Sequence, residues 1–264
     1  MRMMEIKKEK IQTPFQESLK KILSNKLCLV SLIVLVILIL FSIFGPMFTG
    51  YESDSIDLLN MLTGPSDTHL LGTDELGRDM FTRLAEGGRV SISVGLIATL
   101  FKLCIGVLLG CIAGLYGGIV ESVIMRIVDI IMCFPFFVIA LCIAAITGPS
   151  FHNTIFIIGI LGWPGVCRIV RSQVLSLKNV EYVDAARSLG LNQMEIIFRH
   201  ILPNASGPII VYTTLSVANA ILMEASLSFL GLGIAMPQSS WGTILSTAQN
   251  MQILQDCWWM WIPA

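Results

Sequence analysis

The sequence predicts an all-α polytopic membrane protein. Hydrophobic residues make up 55% of the 264-residue chain and charged residues only 13%, whereas charged residues are about 25% of an ordinary soluble domain. The mean hydropathy is +0.78. Five apolar runs come close to the roughly 20 residues with which a helix crosses a bilayer, so we expect five full spans. The net charge of −1 conceals an uneven distribution of charge along the chain, and that distribution orients the spans.

The first span is an amino-terminal anchor. The apolar run at 27–44 is too long for the core of a secretory signal, and residues 45–48 (GPMF) offer no small-residue cleavage site. By the positive-inside rule we expect a cytoplasmic amino terminus and an anchor that leads out of the cell. The basic residues that precede the apolar run are Arg2, Lys7, Lys8, Lys10, Lys20, Lys21 and Lys26.

Residues 49–88 form an acidic loop that we expect outside the cell. Within it, residues 71–79 read LGTDELGRD, which lacks the lysine of a phosphate-binding loop and the acidic spacing of a calcium loop. This stretch predicts a turn at Gly72 that leads into a short amphipathic helix at the outer membrane surface. Its side chains could form either a structural elbow or a substrate contact. The candidates are Gly72, Thr73, Asp74, Gly77, Arg78 and Asp79.

The second span, at about 90–115, contains Lys102 near its middle. A lysine is costly in hydrocarbon, so we expect it to face the helix bundle, a water-filled path or a partner subunit. Glycines at 106, 110 and 114 recur every four residues and predict a smooth face for close helix packing.

Proline interrupts the third and fourth spans. The third span runs to about residue 146 with Pro135 inside it, and Arg126 and Asp129 near its start are spaced to pair on one helix face. The fourth span, at about 154–170, contains GWPG at 162–165, so we expect it to be short or broken. Interrupted spans in transporters often line the path, which makes Trp163 a candidate for the path or for packing.

The fifth span, at about 208–230, contains Glu224. An intramembrane carboxylate is a candidate for function or for structural hydrogen bonding. The chain ends in CWWMWIPA at 257–264, which is too short to cross a bilayer. We therefore expect a sixth span to be truncated, or the chain to be unusually short.

Residues 179–204 predict two short helices outside the bilayer. The first would be capped by Asn179 and end at Gly190 in a left-handed conformation. The second would be capped by Asn192, with Glu195 completing a capping box, and would end before Pro203. The apolar side of the first helix is expected to comprise Tyr182, Ala185, Ala186 and Leu189. The basic residues that place this loop in the cytoplasm are Arg168, Arg171, Lys178, Arg187 and Arg199.

These residues resemble a known family. Asp184-Ala185-Ala186, then Gly190, then Leu202-Pro203 with the proline thirteen residues after the glycine, resemble the EAA loop of the membrane subunits of ATP-binding-cassette importers. Asp184 stands where that family usually has Glu. His200 before Ile-Leu-Pro, residues 72–79 (GTDELGRD) and residues 237–241 (PQSSW) resemble the peptide and nickel branch, whose members normally have a sixth span.

The resemblance implies the transmembrane domain of a type I ABC importer. Residues 1–88 would hold the basic amino terminus, the anchor and the extracytoplasmic loop, and residues 89–264 a core permease domain with the coupling loop at about 179–204. The permease would lie in the cell membrane among lipid, pair with a second permease, dock two cytoplasmic ATPase subunits and receive solute from an extracytoplasmic binding protein. No nucleic acid is expected. The residues implied in ATPase coupling are Tyr182, Asp184, Ala185, Ala186, Arg187, Gly190, Leu202 and Pro203.

The sequence contains no Gly-x-x-x-x-Gly-Lys-Ser/Thr loop, so we do not expect this chain to be an enzyme or to hold a cofactor. ATP and Mg would bind to the partner ATPases. Di- and oligopeptides are the expected cargo, with nickel or a metal chelate as the alternative. No metal site is expected, because no His, Cys or Met cluster with ligand geometry lies in the spans.

Two rival functions predict other patterns. An ion-gradient-driven transporter would have internal repeats and several intramembrane charges, whereas the spans hold Lys102, Glu224 and Asp129. A membrane-bound enzyme would need titratable groups clustered at one depth, whereas the three histidines lie in different loops. The adjacent reading frames would discriminate, since ATPase and binding-protein neighbours favour the importer.

Overall fold

The computed structural model describes residues 24–261. Regular secondary structure in this range is helical, with one isolated antiparallel bridge between Thr73 and Asp79. The basic residues before position 24 and the last three residues lie outside this range. The helices are α1 (Lys26–Phe44), α2 (Pro46–Thr49), α3 (Met80–Tyr116), α4 (Gly118–Cys133), α5 (Phe136–Thr147), α6 (Phe151–Leu177), α7 (Glu181–Ser188), α8 (Gln193–Ile196), α9 (Leu202–Phe229), α10 (Trp241–Leu245), α11 (Met251–Asp256) and α12 (Trp258–Trp261).

Four stretches of the described residues are long and apolar enough to cross a membrane. They are α1, α3, α6 and the run Gln193–Phe229, which joins α8 to α9 through a π-helical segment, Ile197–Ile201. The pair α4 and α5 forms a fifth if its two bent halves make one span. The expected all-α architecture with up to five spans is therefore confirmed.

α3 is longer at its amino-terminal end than the sequence indicates. Met80, Phe81 and Leu84 do not form a separate short helix, because they begin the 37-residue α3. Asp79 caps this helix, and the side chains of Met80 and Leu84 are buried in an apolar cluster with Ile253 and Met260. The helices near the end of the described chain, α10 to α12, thus pack back on the start of α3.

α3 and α6 run in the same direction and pack closely, as the period-four glycines predict. A Cβ atom at Gly106 would lie 2.4 Å from Val166 Cβ, and one at Gly110 would lie 2.7 Å from Val170 Cβ. The pair Gly114 and Val174 repeats this geometry at 2.7 Å. Each glycine therefore faces the valine sixty positions later, and the two backbones approach each other where a side chain on α3 would prevent it.

The two interrupted spans behave differently. The third span breaks at Pro135, where α4 and α5 meet at 82°. The fourth span is neither short nor broken, since α6 has 27 residues with Pro164 inside it. The prediction for α6 was wrong because a proline inside a membrane helix removes one backbone hydrogen bond without ending the helix when neighbouring helices support it.

Two further local predictions were wrong. Asp129 pairs with Arg168, at 2.5 Å between Oδ1 and Nη2, and not with Arg126, because the adjacent α6 presents a guanidinium to it. The second helix of the loop at 179–204 does not end before Pro203. The Leu202 amide donates to the Ile197 carbonyl five residues earlier, and this wider π turn accommodates the proline ring while the helix continues into α9.

Candidate functional site

The GTDELGRD segment is held by its own side chains. Asp74 Oδ1 accepts hydrogen bonds from the backbone amides of Leu76 and Arg78, both at 2.9 Å. Asp74 Oδ2 pairs with Arg78 at 2.7 Å and with Arg83 at 3.4 Å. All three charged side chains are buried, so this carboxylate and two guanidinium groups form an internal ion cluster.

Asp79 joins the segment to the start of α3. Its Oδ2 accepts from the Thr82 amide at 2.9 Å and from the Thr82 hydroxyl at 2.7 Å, while its Oδ1 lies 2.9 Å from His69 Nδ1. The Thr73 hydroxyl bonds to backbone carbonyl groups. Of the two roles left open by the sequence, these contacts favour a structural elbow.

The two glycines of the elbow have left-handed backbones that bring other segments close. Gly72 has φ +69° and Gly77 has φ +73°. A Cβ atom at Gly77 would lie 1.7 Å from the Asp57 carbonyl oxygen, which leaves no room for a side chain. Asp57 in turn accepts a hydrogen bond from Asn60 Nδ2 at 2.7 Å, and that bond lowers the pKa of the Asp57 carboxyl below its ordinary value.

Glu224 is buried with both carboxylate oxygens satisfied. Ser91 Oγ on α3 donates to Oε2 at 2.7 Å, and Ser228 Oγ donates to Oε1 at 2.7 Å. Ser91 Oγ also accepts from the Trp241 amide at 3.2 Å. Glu224 therefore connects α3, α9 and α10, which matches the structural alternative that the sequence left open.

A cavity of about 510 Å³ lies among α3, the bend between α4 and α5, α6 and α9. Lys102 reaches it with 6% of its surface exposed, and its Nζ donates to the Ser216 carbonyl at 3.1 Å. Trp163 does not line this cavity and packs with Val128 and Cys167. Lys102 thus meets the expectation of facing the bundle, and the surroundings of Trp163 are those of a packing residue.

Sequence reasoning missed three polar residues of this cavity. Tyr212, Ser216 and Asn219 all line it from α9. They are spaced by four and three residues, which places them on one face of a helix. This polar stripe in an apolar span was the signal that could have revealed them.

The loop at 179–204 presents a different face from the one predicted. Val183 and Ala186 are buried in a cluster with Ile196 and Ile201, whereas Tyr182 and Leu189 are exposed. Ala185 is also exposed. The prediction that Ala186 belongs to the outer apolar side was wrong, because the i, i+3 pair Val183 and Ala186 anchors α7 to the spans.

The turns of this loop follow the predicted chemistry in two of three places. Gly190 has φ +83°, the left-handed conformation expected at the helix end. Asn192 and Glu195 form a capping box. Asn179 does not cap α7, because the cap position is occupied by Val180, whose side chain makes no cap hydrogen bond.

The remaining residues of the loop take up defined positions. Asp184 Oδ1 accepts from Arg187 Nη1 at 3.0 Å within α7, and both side chains are exposed. Leu202 and Pro203 form the first turn of α9. Lys178 Nζ donates to the Gly114 carbonyl at 3.1 Å, so the segment before α7 is tied to the end of α3.

Family comparisons agree with this arrangement. Residues 106–264 match the family described as binding-protein-dependent transport system inner membrane component. Residues 13–65 match the N-terminal TM domain of oligopeptide transport permease C. Together the two matches cover the anchor and most of the core.

Full-length relatives and solved structures extend the match. The chain is 43% identical to the dipeptide transport system permease protein DppC of Alkalihalophilus pseudofirmus over 94% of this chain and 81% of that protein. It is also 43% identical to the oligopeptide transport system permease protein OppC of Bacillus subtilis, over 88% of this chain and 76% of that protein. An inward-facing structure of the MetNI methionine ABC transporter has the same fold, with a TM-score of 0.55 at 18% identity over 65% of this chain and 82% of that chain. The chain therefore belongs to the binding-protein-dependent transport system inner membrane components, within the branch that contains the dipeptide and oligopeptide permeases.

Proposed function

We propose that this chain is the permease subunit that forms part of the path for di- and oligopeptides in an ATP-driven importer. The observation that carries the proposal is its identity of 43% to a dipeptide permease over 94% of the chain. The cavity beside Lys102 supplies space among the spans. Nickel remains the alternative cargo of this architecture, but among residues 24–261 no group of three or more His, Cys, Asp or Glu residues could hold a metal ion.

The partners follow from the family. A second permease completes the path, an extracytoplasmic binding protein delivers the solute, and two cytoplasmic ATPase subunits bind ATP and Mg. This chain contributes the membrane path and the coupling loop, and it carries no phosphate-binding loop. The complex lies in the cell membrane with the amino terminus of this chain in the cytoplasm.

The coupling loop supports docking of an ATPase subunit. Val183 and Ala186 hold α7 against the spans, and the exposed face beside them presents Tyr182, Ala185 and Leu189. These three residues follow an i, i+3, i+7 spacing, so they form one apolar stripe on the exposed face. Such a stripe is suited to a groove on a partner protein, as when an amphipathic helix lies in a hydrophobic groove. Movement of the ATPase would then reach α6 and α9 as a rigid-body shift.

A substitution at Gly190 tests this coupling. We expect Gly190→Val to insert and assemble but to abolish peptide uptake, with ATP hydrolysis no longer stimulated by loaded binding protein. The left-handed backbone at φ +83° strains any residue with a side chain by about 1 kcal/mol or more. Among the described residues other than its two chain neighbours, no atom lies within 4 Å of an added Cβ. The valine would therefore project from the surface that docks the ATPase.

The matched control is Gly118→Val. Gly118 has φ +54° and an equally open environment, but it is the first residue of α4. The Gly118→Val substitution introduces comparable backbone strain outside the coupling loop. The importer that carries it should therefore retain stimulated hydrolysis. Full uptake by the Gly190→Val importer would show that this loop is not the coupling element.

Asp184 tests the polar part of the same surface. We expect Asp184→Ala to reduce uptake less severely than Gly190→Val, because it removes a carboxylate that holds Arg187 at 3.0 Å and is exposed to a partner. Asp184→Glu keeps the charge and should preserve uptake. Equal uptake by the Ala and Glu variants, measured in reconstituted vesicles, would contradict a role for this carboxylate.

A further inference from the structure

Lys102 lies in the spanning part of the molecule and has no ionic partner among residues 24–261. Its ammonium group makes one hydrogen bond, to the Ser216 carbonyl at 3.1 Å, although it can donate three. An ammonium group in hydrocarbon is costly, and such residues normally face a cavity or pair with another group. Lys102 therefore has unused hydrogen-bonding capacity in a place where charge is expensive.

The neighbouring helix is shaped to leave room for this side chain. A Cβ atom at Gly162 would lie 2.9 Å from Lys102 Cδ, and one at Gly165 would lie 2.1 Å from the Tyr212 hydroxyl oxygen. Gly162 thus leaves space for the Lys102 side chain, and Gly165 leaves space for the Tyr212 side chain. Both of those side chains line the same cavity.

The cavity has the size and composition of a small-molecule site. Its volume of about 510 Å³ lies within the range of roughly 300–1,000 Å³ that is usual for ligand pockets. Apart from Lys102, Tyr212, Ser216 and Asn219, the residues that line it are apolar or glycine. An apolar wall with a few convergent polar groups binds one fixed polar feature and tolerates variation elsewhere.

We propose that Lys102, with Tyr212 and Asn219 beside it, binds the terminal carboxylate of a peptide on its way across the membrane. The inference rests on the proposed function, because peptide transport supplies the ligand. A linear peptide carries a carboxylate at its end whatever its side chains are, and an ammonium group donates charge-assisted hydrogen bonds to it. The apolar wall would accept side chains of differing size. The site would thus recognise the terminal carboxylate that all linear peptides share and would not select among peptide sequences.

The test uses the importer reconstituted in vesicles with its partner subunits and binding protein. Lys102→Met removes the charge and keeps a long flexible side chain, and Lys102→Arg keeps the charge. We expect Lys102→Met to lower the maximal uptake of a dipeptide by roughly tenfold, the size expected for losing one charge-assisted hydrogen bond. Hydrolysis stimulated by loaded binding protein should persist, and Lys102→Arg should restore most of the uptake.

A second measurement separates recognition from packing. Uptake of the dipeptide is compared with uptake of its carboxyl-terminal amide, each at a concentration that saturates the binding protein. The same binding protein serves both permease variants, so its preference for acid or amide does not affect the comparison between them. Lys102→Met should lower uptake of the acid and leave uptake of the amide unchanged. Equal losses for acid and amide, or a fall in the yield of assembled complex with normal uptake per complex, would assign Lys102 to packing or to a partner subunit and overturn the proposal.

Failure of this inference is distinct from failure of the proposed function. Undiminished dipeptide uptake by the Lys102→Met importer would overturn the carboxylate site and leave peptide transport intact. An importer with the natural Lys102 that takes up no peptide would overturn the proposed function itself, and the carboxylate site with it.

Discussion

Glu224 and Lys102 are both charged side chains in the spans, and their partners distinguish them. Glu224 is fully buried, at 0% exposure, and accepts hydrogen bonds from two serine hydroxyls. Lys102 donates to one carbonyl and reaches a cavity. A buried polar group with all partners in place contributes to a unique packing, whereas one with unused donors is available to a ligand. The residue type alone therefore does not decide the role.

We predict that Ser91→Ala destabilises the permease. The substitution removes the hydroxyl that donates to Glu224 Oε2 and accepts from the Trp241 amide. Leaving buried groups without partners costs about 1–3 kcal/mol, so the apparent Tm of the purified complex should fall.

Ser226→Ala is the matched control for that prediction. Ser226 Oγ donates to the Leu222 carbonyl within its own helix and is exposed, so its loss should change the free energy of unfolding by less than about 0.5 kcal/mol. An equal change in Tm for both variants would show that the Glu224 network does not stabilise the fold.

At the scale of elements, the packing of α3 on α6 depends on the absence of side chains. The glycines at 106, 110 and 114 meet valines at 166, 170 and 174, and backbone carbonyl groups of α6 lie beneath the same positions. Lipid tails are as apolar as the helices, so close van der Waals packing rather than exclusion from water holds such a pair together. Adding a single methyl group at one of these glycines should therefore destabilise the packing of α3 on α6.

We predict that Gly110→Ala weakens this pair. The added Cβ would lie 2.7 Å from Val170 Cβ and 2.8 Å from the Cys167 carbonyl oxygen, and overpacking of this kind costs typically about 1–3 kcal/mol. The yield and the apparent Tm of the purified permease should both fall. Gly207→Ala is the control, since a Cβ there meets nothing within 4 Å and alanine is favoured in helices by up to about 1 kcal/mol. A Tm for Gly110→Ala at or above that of Gly207→Ala would contradict the packing account.

The sequence predicted those features of the elements that depend on local pattern. The span positions, the glycine face of α3, the left-handed Gly190 and the capping box at Asn192 follow from spacing and residue type, and the structure has them. The effects of the prolines on the helices could not be predicted from spacing and residue type. Pro135 separates two helices at 82° whereas Pro164 lies inside one helix, and the difference depends on neighbouring helices that spacing does not reveal.

The candidate site shows the same limit. Lys102 was identified because a lone charge in an apolar run is visible in the sequence. Its cavity was not predicted, because Tyr212 and Asn219 are more than a hundred positions away along the chain. The face of α7 was misassigned for a related reason, since the anchoring contacts of Val183 come from Ile196 and Ile201, beyond the helix itself.

At the scale of the whole molecule, the two ends of the spans differ in character. One end is covered by the buried GTDELGRD elbow and by α10 to α12, which pack on the start of α3. The other end leads into α7, whose polar and apolar side chains are largely exposed. Acidic residues are enriched on the first side and basic residues on the second. This distribution supports the proposed topology, with the elbow outside the cell and α7 in the cytoplasm.

We predict that labelling from outside the cell will distinguish these two ends. In a chain whose seven native cysteines have been replaced, Leu59→Cys should react with an impermeant maleimide applied to intact cells. Leu189→Cys should react only after the cells are opened. Leu59 is 96% exposed and Leu189 is 81% exposed, so a failure to react reports the side of the membrane rather than burial. Labelling of Leu189→Cys in intact cells would reverse the proposed topology.

The matched spacing of glycines on α3 and valines on α6 also restricts how force passes through the molecule. If one helix slid along the other, each valine of α6 would leave its glycine and clash with a larger residue of α3. The pair is therefore expected to resist sliding and to tilt as one rigid unit. That unit is long: α3 has 37 residues, which at about 1.5 Å per residue gives a lever of roughly 55 Å. α7 follows the end of α6 after three residues. If α7 docks an ATPase subunit as proposed, a displacement of α7 would tilt α3 and α6 together and move the start of α3 at Met80. The cavity at Lys102 lies between these two ends of α3.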